Sequence, residues 1–171
     1  MPVSNPSSSV PSFEYIGEAT LTGDAATITV TGIATTYKEL LIFGRIIHGD
    51  AGAGGEMRFN GDTGNNYMSQ FVRGANAAAS ADAGHDTNGY DLMQSTSTGD
   101  VSTLCVHVYA PLATITKTFT SECMTDGGAA ANNKSSSGGG VWNNTADSIT
   151  SVTFAGQFLT GSRIVVFGYK G

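Results

Sequence analysis

In Ala26-Thr27-Ile28-Thr29-Val30-Thr31, threonines alternate strictly with apolar or small residues. A period of two places one set of side chains on each face of an extended chain, which is the mark of a half-buried strand. Thr114-Ile115-Thr116-Lys117-Thr118-Phe119 alternates in the same way, with a charge intruding at Lys117. From Ser148 to Phe154 the alternation changes phase between Ile149 and Val152, which predicts a bulge. No window of a dozen residues carries a 3.6-residue apolar period, so the chain is read as all-β.

Three runs are apolar without alternation and predict deeply buried strands: Glu39–Phe43, Leu104–Tyr109 and Arg163–Tyr169. Further strands are expected at Phe13–Leu21, Glu56–Asn60, Asn65–Val72, Tyr90–Gln94 and Gly140–Asn143. About ten short strands separated by turn chemistry predict an antiparallel β-sandwich or jelly roll. The last strand is expected to lie inside its sheet. Two segments read as long loops: Gly74–Asn88, rich in Ala, Asp and Gly, and Asp126–Gly139, rich in Gly, Ala, Asn and Ser.

A chain of 171 residues fits one domain, here residues 13–171, preceded by an extended Ser/Pro-rich arm over residues 1–12. Pro2, Pro6 and Pro11 exclude a regular helix from the arm. Fully stretched, such a segment reaches about 40 Å. Val3, Val10 and Phe13 are its apolar anchors, and with Pro6 and Pro11 they are the expected partner-binding residues. The arm has neither a basic n-region nor an apolar h-region, which predicts synthesis in the cytoplasm.

Eight Lys and Arg stand against fourteen Asp and Glu, a formal net charge of -6. Phosphate contacts need Lys and Arg, so no nucleic-acid partner is expected. No apolar run approaches the ~18 residues of a helical membrane span, so no membrane partner is expected either.

The two cysteines, Cys105 and Cys123, fall on a predicted hairpin of Val101–Ala110 and Thr114–Met124 around Pro111-Leu112-Ala113. That register puts Cys105 opposite Phe119 and predicts two reduced thiols. His107 shares a strand face with Cys105, but a zinc site needs further convergent ligands, and neither a CxxC nor an HxxxH is present. Neighbours on one strand project in parallel, so the pair does not form a nucleophile and its base. His48 and His85 stand apart from it. The glycine cluster Gly49–Gly55 lacks the Lys-Ser/Thr of a phosphate loop and runs into a strand. Glu56 and Arg58 suggest an inter-strand salt bridge. No catalytic or cofactor-binding residues are assigned.

The densest motif is Arg58-Phe59-Asn60-Gly61-Asp62-Thr63-Gly64-Asn65-Asn66-Tyr67. Asn60, Gly61 and Gly64 supply the positive φ of tight turns. Asp62, Asn60 and Asn65 offer oxygens for a calcium ion, without the spacing of an EF-hand. The other reading is a turn in which Asp62 hydrogen-bonds its own backbone.

This motif, followed by Val72-Arg73-Gly74, resembles a pattern in virion structural proteins of tailed bacteriophages. Tyr15-Ile16-Gly17-Glu18-Ala19-Thr20-Leu21, the stretch Trp142–Thr150, and the close Gly161-Ser162-Arg163 to Phe167-Gly168-Tyr169-Lys170 fit the same group. The resemblance spans most of Phe13–Gly171 and leaves out the arm. It implies a β-sandwich, often a homotrimer, and carries no catalytic residues.

Three roles follow. The first is a capsid decoration or cement protein on the outer surface of the virion, bound to the major capsid protein, with the acidic charge facing away from packaged DNA. The second is a tail-fibre or baseplate receptor-binding domain that contacts host glycans through Tyr67, Tyr90 and Trp142. The third is a carbohydrate-binding module or small-molecule enzyme on a sandwich, for which the sequence offers no catalytic constellation.

Overall fold

The computed structural model describes residues 12–50, 54–75, 78–84, 89–95, 97–128 and 133–171. Val3, Pro6, Val10 and Pro11 lie outside the described residues, as does His85. Among the described residues there are twelve strands, all paired antiparallel. They are β1 (Glu14–Thr20), β2 (Ala25–Thr31), β3 (Glu39–Ile47), β4 (Gly54–Phe59), β5 (Tyr67–Ala75), β6 (Ala78–Gly84), β7 (Tyr90–Gln94), β8 (Val101–Tyr109), β9 (Lys117–Asp126), β10 (Lys134–Trp142), β11 (Ser151–Phe158) and β12 (Arg163–Tyr169).

Two sheets pack face to face. The larger has the order β1-β12-β3-β8-β9-β10-β5-β6 and the smaller β2-β11-β4-β7. Eight strands follow the jelly-roll path: β1 pairs with β12, β2 with β11, β3 with β8 and β4 with β7. Successive pairs alternate between the sheets. Two hairpins are inserted into this path, β5–β6 between β4 and β7, and β9–β10 between β8 and β11. Both extend the larger sheet beyond β8. The final strand β12 lies between β1 and β3, inside its sheet as expected.

The core lies between the sheets. Leu40, Ile42, Ile46, Val106, Val108, Ile164 and Val166 face inward from the larger sheet. Ile28, Val30, Met57, Phe59, Val152 and Phe154 meet them from the smaller one. At the widened end an aromatic cluster fills the space: Phe59, Tyr67, Phe119 and Trp142, with Tyr90 against Phe119 at 4.7 Å.

Several expectations are corrected. The first predicted loop contains the end of β5 and all of β6, and the second contains the last residue of β9 and most of β10. Ser- and Gly-rich β10 is a strand because it pairs along its whole length with β9 on one side and β5 on the other.

The hairpin register differs by three residues. Tyr109 pairs with Thr118, and Cys105 with Glu122. The connection is longer than a three-residue turn because its backbone bonds elsewhere. Thr114 N–H donates to Thr145 O at 2.6 Å, and Ile149 N–H donates to Pro111 O at 2.8 Å. Leu104, not Cys105, faces Cys123 across the ladder, so adjacent cysteines fall on opposite faces, and both are free thiols.

The phase change near Ile149 is not a bulge. Ile149 is buried ahead of β11, and the irregularity of that strand lies between Ala155 and Phe158. Glu56 and Arg58 pair within one strand, at 2.5 Å.

Candidate functional site: the outer face of the larger sheet

The apolar runs on β3 and β12 have no alternation because both of their faces are apolar. Leu40 and Ile42 are buried, while Leu41 and Phe43 point outward. On β12, Val165 and Phe167 point outward and pair with Phe43 and Leu41. β1 adds Tyr15 beside Phe167. These outward residues form an aromatic cluster: Tyr15 lies 6.0 Å from Phe167 and Phe43 6.1 Å from Phe167, both edge to face. Tyr15 is 56% exposed and Phe43 41%. Large outward rings on a strand normally meet a second layer, and among the described residues nothing covers them.

Phe13 continues this surface. Its ring lies 5.7 Å from Tyr169 on β12 and 6.1 Å from His107 on β8. His107 also stacks on Tyr109 at 4.1 Å, and its Nε2 pairs with Glu39 at 2.7 Å. The imidazole is thus part of an outward polar–aromatic patch, and it does not converge with Cys105 on a metal.

The other half of the same face is built from small residues. β10 presents Ser135, Ser137 and Gly139, and β6 presents Ala79, Ala81 and Ala83. Met68, Val72 and Met124 stand up around them, exposed. At about 4.8 Å per strand and 3.3 Å per residue, the eight-stranded face covers roughly 900 Å², near one partner's share of a standard protein interface.

The turn motif is structural. Asn60 and Gly61 take φ of 54° and 66°, and Asp62 N–H closes the turn onto Phe59 O at 2.9 Å. The Asn60 amide donates to Ser148 O at 2.8 Å, and its oxygen accepts from the Thr150 and Ser151 N–H groups. Asp62 accepts from Gly64 N–H, the Asn66 amide and the Trp142 indole, at 2.7–2.8 Å. Burial alone would raise the Asp62 carboxyl; the three hydrogen bonds outweigh it and hold it below the usual range. Both of its oxygens face N–H donors, an environment opposite in sign to a cation's.

Two buried polar clusters sit in the interior. The His48 Nε2 lies 2.7 Å from Ser102 Oγ, which lies 2.6 Å from Thr125 Oγ1. Burial lowers the His48 pKa, against a smaller upward pull from Asp100. Lys117, which intruded on the sequence pattern, opens β9 on the inner face and is fully buried. Its ammonium donates to Asn144 O and sits 4.9 Å from the Trp142 ring. Neither cluster opens to solvent. Among the described residues, no three His, Cys, Asp or Glu side chains gather to hold a metal.

The aromatic residues assigned to glycan contact are also misplaced by the sequence. Tyr67, Tyr90 and Trp142 are buried, Tyr67 bonding Phe59 N–H and Tyr90 bonding Ser121. Rings inside the core cannot stack on sugars. The outward cluster at Tyr15, Phe43 and Phe167 escaped sequence reasoning, although one signal marked it: apolar runs without alternation leave apolar side chains on both faces.

Comparison with protein-family models, with characterised proteins and with solved structures finds no match to this chain.

Proposed function

We propose that the protein is a non-enzymatic structural component of a tailed-bacteriophage virion, decorating the outer capsid and cementing neighbouring coat subunits. The observation that carries this reading is the uncovered aromatic cluster of Tyr15, Phe43 and Phe167 on a jelly roll whose own core is already filled. Such rings stabilise contacts with another protein by about 1.5–3 kcal/mol each when fully buried. The net charge of -6 favours the side of the shell away from DNA. In a homotrimer, three copies of a modest contact combine through effective concentration into a firm hold on the major capsid protein. The arm, with Val3, Val10 and Phe13 as anchors and Pro6 and Pro11 restricting its freedom, extends the reach of each copy.

The receptor-binding reading loses the three rings it relied on, because all of them are buried. The decoration reading is tested by retention on particles. Replacing Tyr15 and Phe43 together by serine, or deleting residues 2–12, is expected to lower the amount of protein that stays on purified capsids through a salt wash. Unchanged retention in both variants contradicts the proposal.

A further inference from the structure

The outer face of the larger sheet is divided into a raised half and a low half. On β3, Leu41, Phe43 and Arg45 point outward; on β10, Gly139, Ser137 and Ser135 do. The ladder sets each pair in one row across the sheet. Leu41 shares a row with Gly139 through His107 and Thr120, and Phe43 with Ser137 through Cys105 and Glu122. Arg45 shares one with Ser135 through Thr103 and Met124. β3 and β10 lie equally far from the line between β8 and β9, the midline of the eight strands. The ring of Phe13 adds to the raised half, lying over β3 between Tyr169 and His107. The low half carries a depression of about 510 Å³, lined by Gly139, Gln70 and Ala83 among others.

We propose that this face receives the same face of a second copy, related by a two-fold axis running along the midline between β8 and β9. Such an axis exchanges β3 with β10. Leu41, Phe43 and Arg45 of each copy then stand over Gly139, Ser137 and Ser135 of the other, and Phe13 stands over its depression. An axis at right angles to the strands would instead set β3 on β3, ring against ring. Sheets stacked face to face lie about 10 Å apart with their strands about 30° from parallel, which a two-fold axis near the strand direction produces. Charge agrees with this pairing. Arg45 and Glu122 are exposed, and among the described residues neither has an ion-pair partner in its own chain. Glu122 lies about 8 Å across the sheet from Ser135, so Arg45 of one copy meets Glu122 of the other. The roughly 900 Å² face covers about 1,800 Å² over two copies, within the range of stable interfaces.

The rings of this face cannot meet coat protein at the same time. On the decoration reading the dimer is therefore the free form, and it opens as the face docks. The dimer itself does not rest on that reading, because it is measured on purified protein without capsids.

The test is sedimentation equilibrium of the full chain from about 1 to 100 μM. The expected species is a dimer, twice the chain mass of 17.5 kDa. Ser137→Phe, at an exposed position, opposes ring to ring and is expected to weaken the dimer roughly tenfold or more. Adding Phe43→Ser exchanges knob and hole and should restore it. Arg45→Glu, which leaves the core untouched, should weaken the dimer, and Glu122→Arg added to it should restore it. Cys105 stands beside the axis, so its labelling by a thiol reagent should slow as protein concentration rises. A monomer at 100 μM, a trimer, a dimer indifferent to Ser137→Phe, or exchanges that restore nothing would each overturn the proposal.

Discussion

The indole N–H of Trp142 donates to the carboxylate of Asp62 at 2.7 Å, across 80 residues of sequence. Trp142 ends β10 in the extended part of the larger sheet, and Asp62 sits in the turn that leaves β4 of the smaller one. The bond therefore ties the inserted hairpins to the jelly-roll body at their most aromatic point. A hydrogen bond to a charged acceptor contributes about 1.5–3 kcal/mol, and Asp62 accepts three. Asp62→Ala is expected to lower Tm by roughly 5–10 °C and to shift the emission of the single tryptophan, with a smaller loss for Asp62→Asn. An unchanged melting curve for Asp62→Ala would show that the turn does not depend on this acceptor.

His48 gives a pH dependence in a separate window. Burial holds its pKa below the ordinary value near 6.5, so the unfolded chain binds the extra proton first. Stability conferred by the neutral imidazole is full above that value and falls as pH drops through it. Chemical denaturation should show a midpoint that declines from pH 7 to pH 5, and His48→Gln should flatten this decline. The Asp62 carboxyl, lowered in the folded state, adds its own loss only as pH falls below about 4. A wild-type midpoint constant from pH 7 to pH 5 would rule out the His48 effect.

The two thiols should separate by reactivity. Cys105 lies half-buried on the outer face, and Cys123 is buried near Ser102 and Thr125. Burial raises both thiols, that of Cys123 to about 11. A thiol reagent at pH 8 is expected to label Cys105 first, with Cys123 following only as the protein unfolds. Equal labelling rates, or a native mass two hydrogens short of the reduced chain, would contradict the opposite-face geometry.

The triplet Gly138-Gly139-Gly140 is expected to resist even the smallest side chain. A Cβ at Gly138 or Gly140 would stand 2.4 Å from the carbonyl oxygen of Gln70 or Met68, and at Gly139 2.5 Å from that of Phe119. Backbone must move to admit it, at a cost of about 1–3 kcal/mol. Gly138→Ala should thus lower Tm measurably, whereas Ser137→Ala, on an exposed neighbour, should not. Equal melting temperatures for the two variants would remove the steric argument.

These glycines also mark where sequence reading failed. Alternation in Ala26–Thr31 and the apolar runs of β3, β8 and β12 disclosed the jelly-roll strands, because their side chains report the core directly. β6 and β10 carry Ala, Ser and Gly, residues of weak strand preference. β6 is a strand through its hairpin with β5, and β10 through pairing with β9 and with the more distant β5, partners that side-chain patterning does not report. The outward rings were hidden for another reason. Tyr15, Phe43 and Phe167 look like core residues in sequence, and only the register shows which face each occupies. Tyr67, Tyr90 and Trp142 show the reverse: the glycan-binding reading needed them exposed, yet each is buried with its polar atom bonded inside.

The central claim, that this jelly roll coats the outside of a capsid, is tested most directly by counting its copies in purified virions by gel densitometry against the major capsid protein. The account predicts a number that scales with the coat protein and falls when Tyr15 and Phe43 are replaced. A handful of copies per particle, fixed whatever the size of the shell, would contradict it and move the protein to the tail.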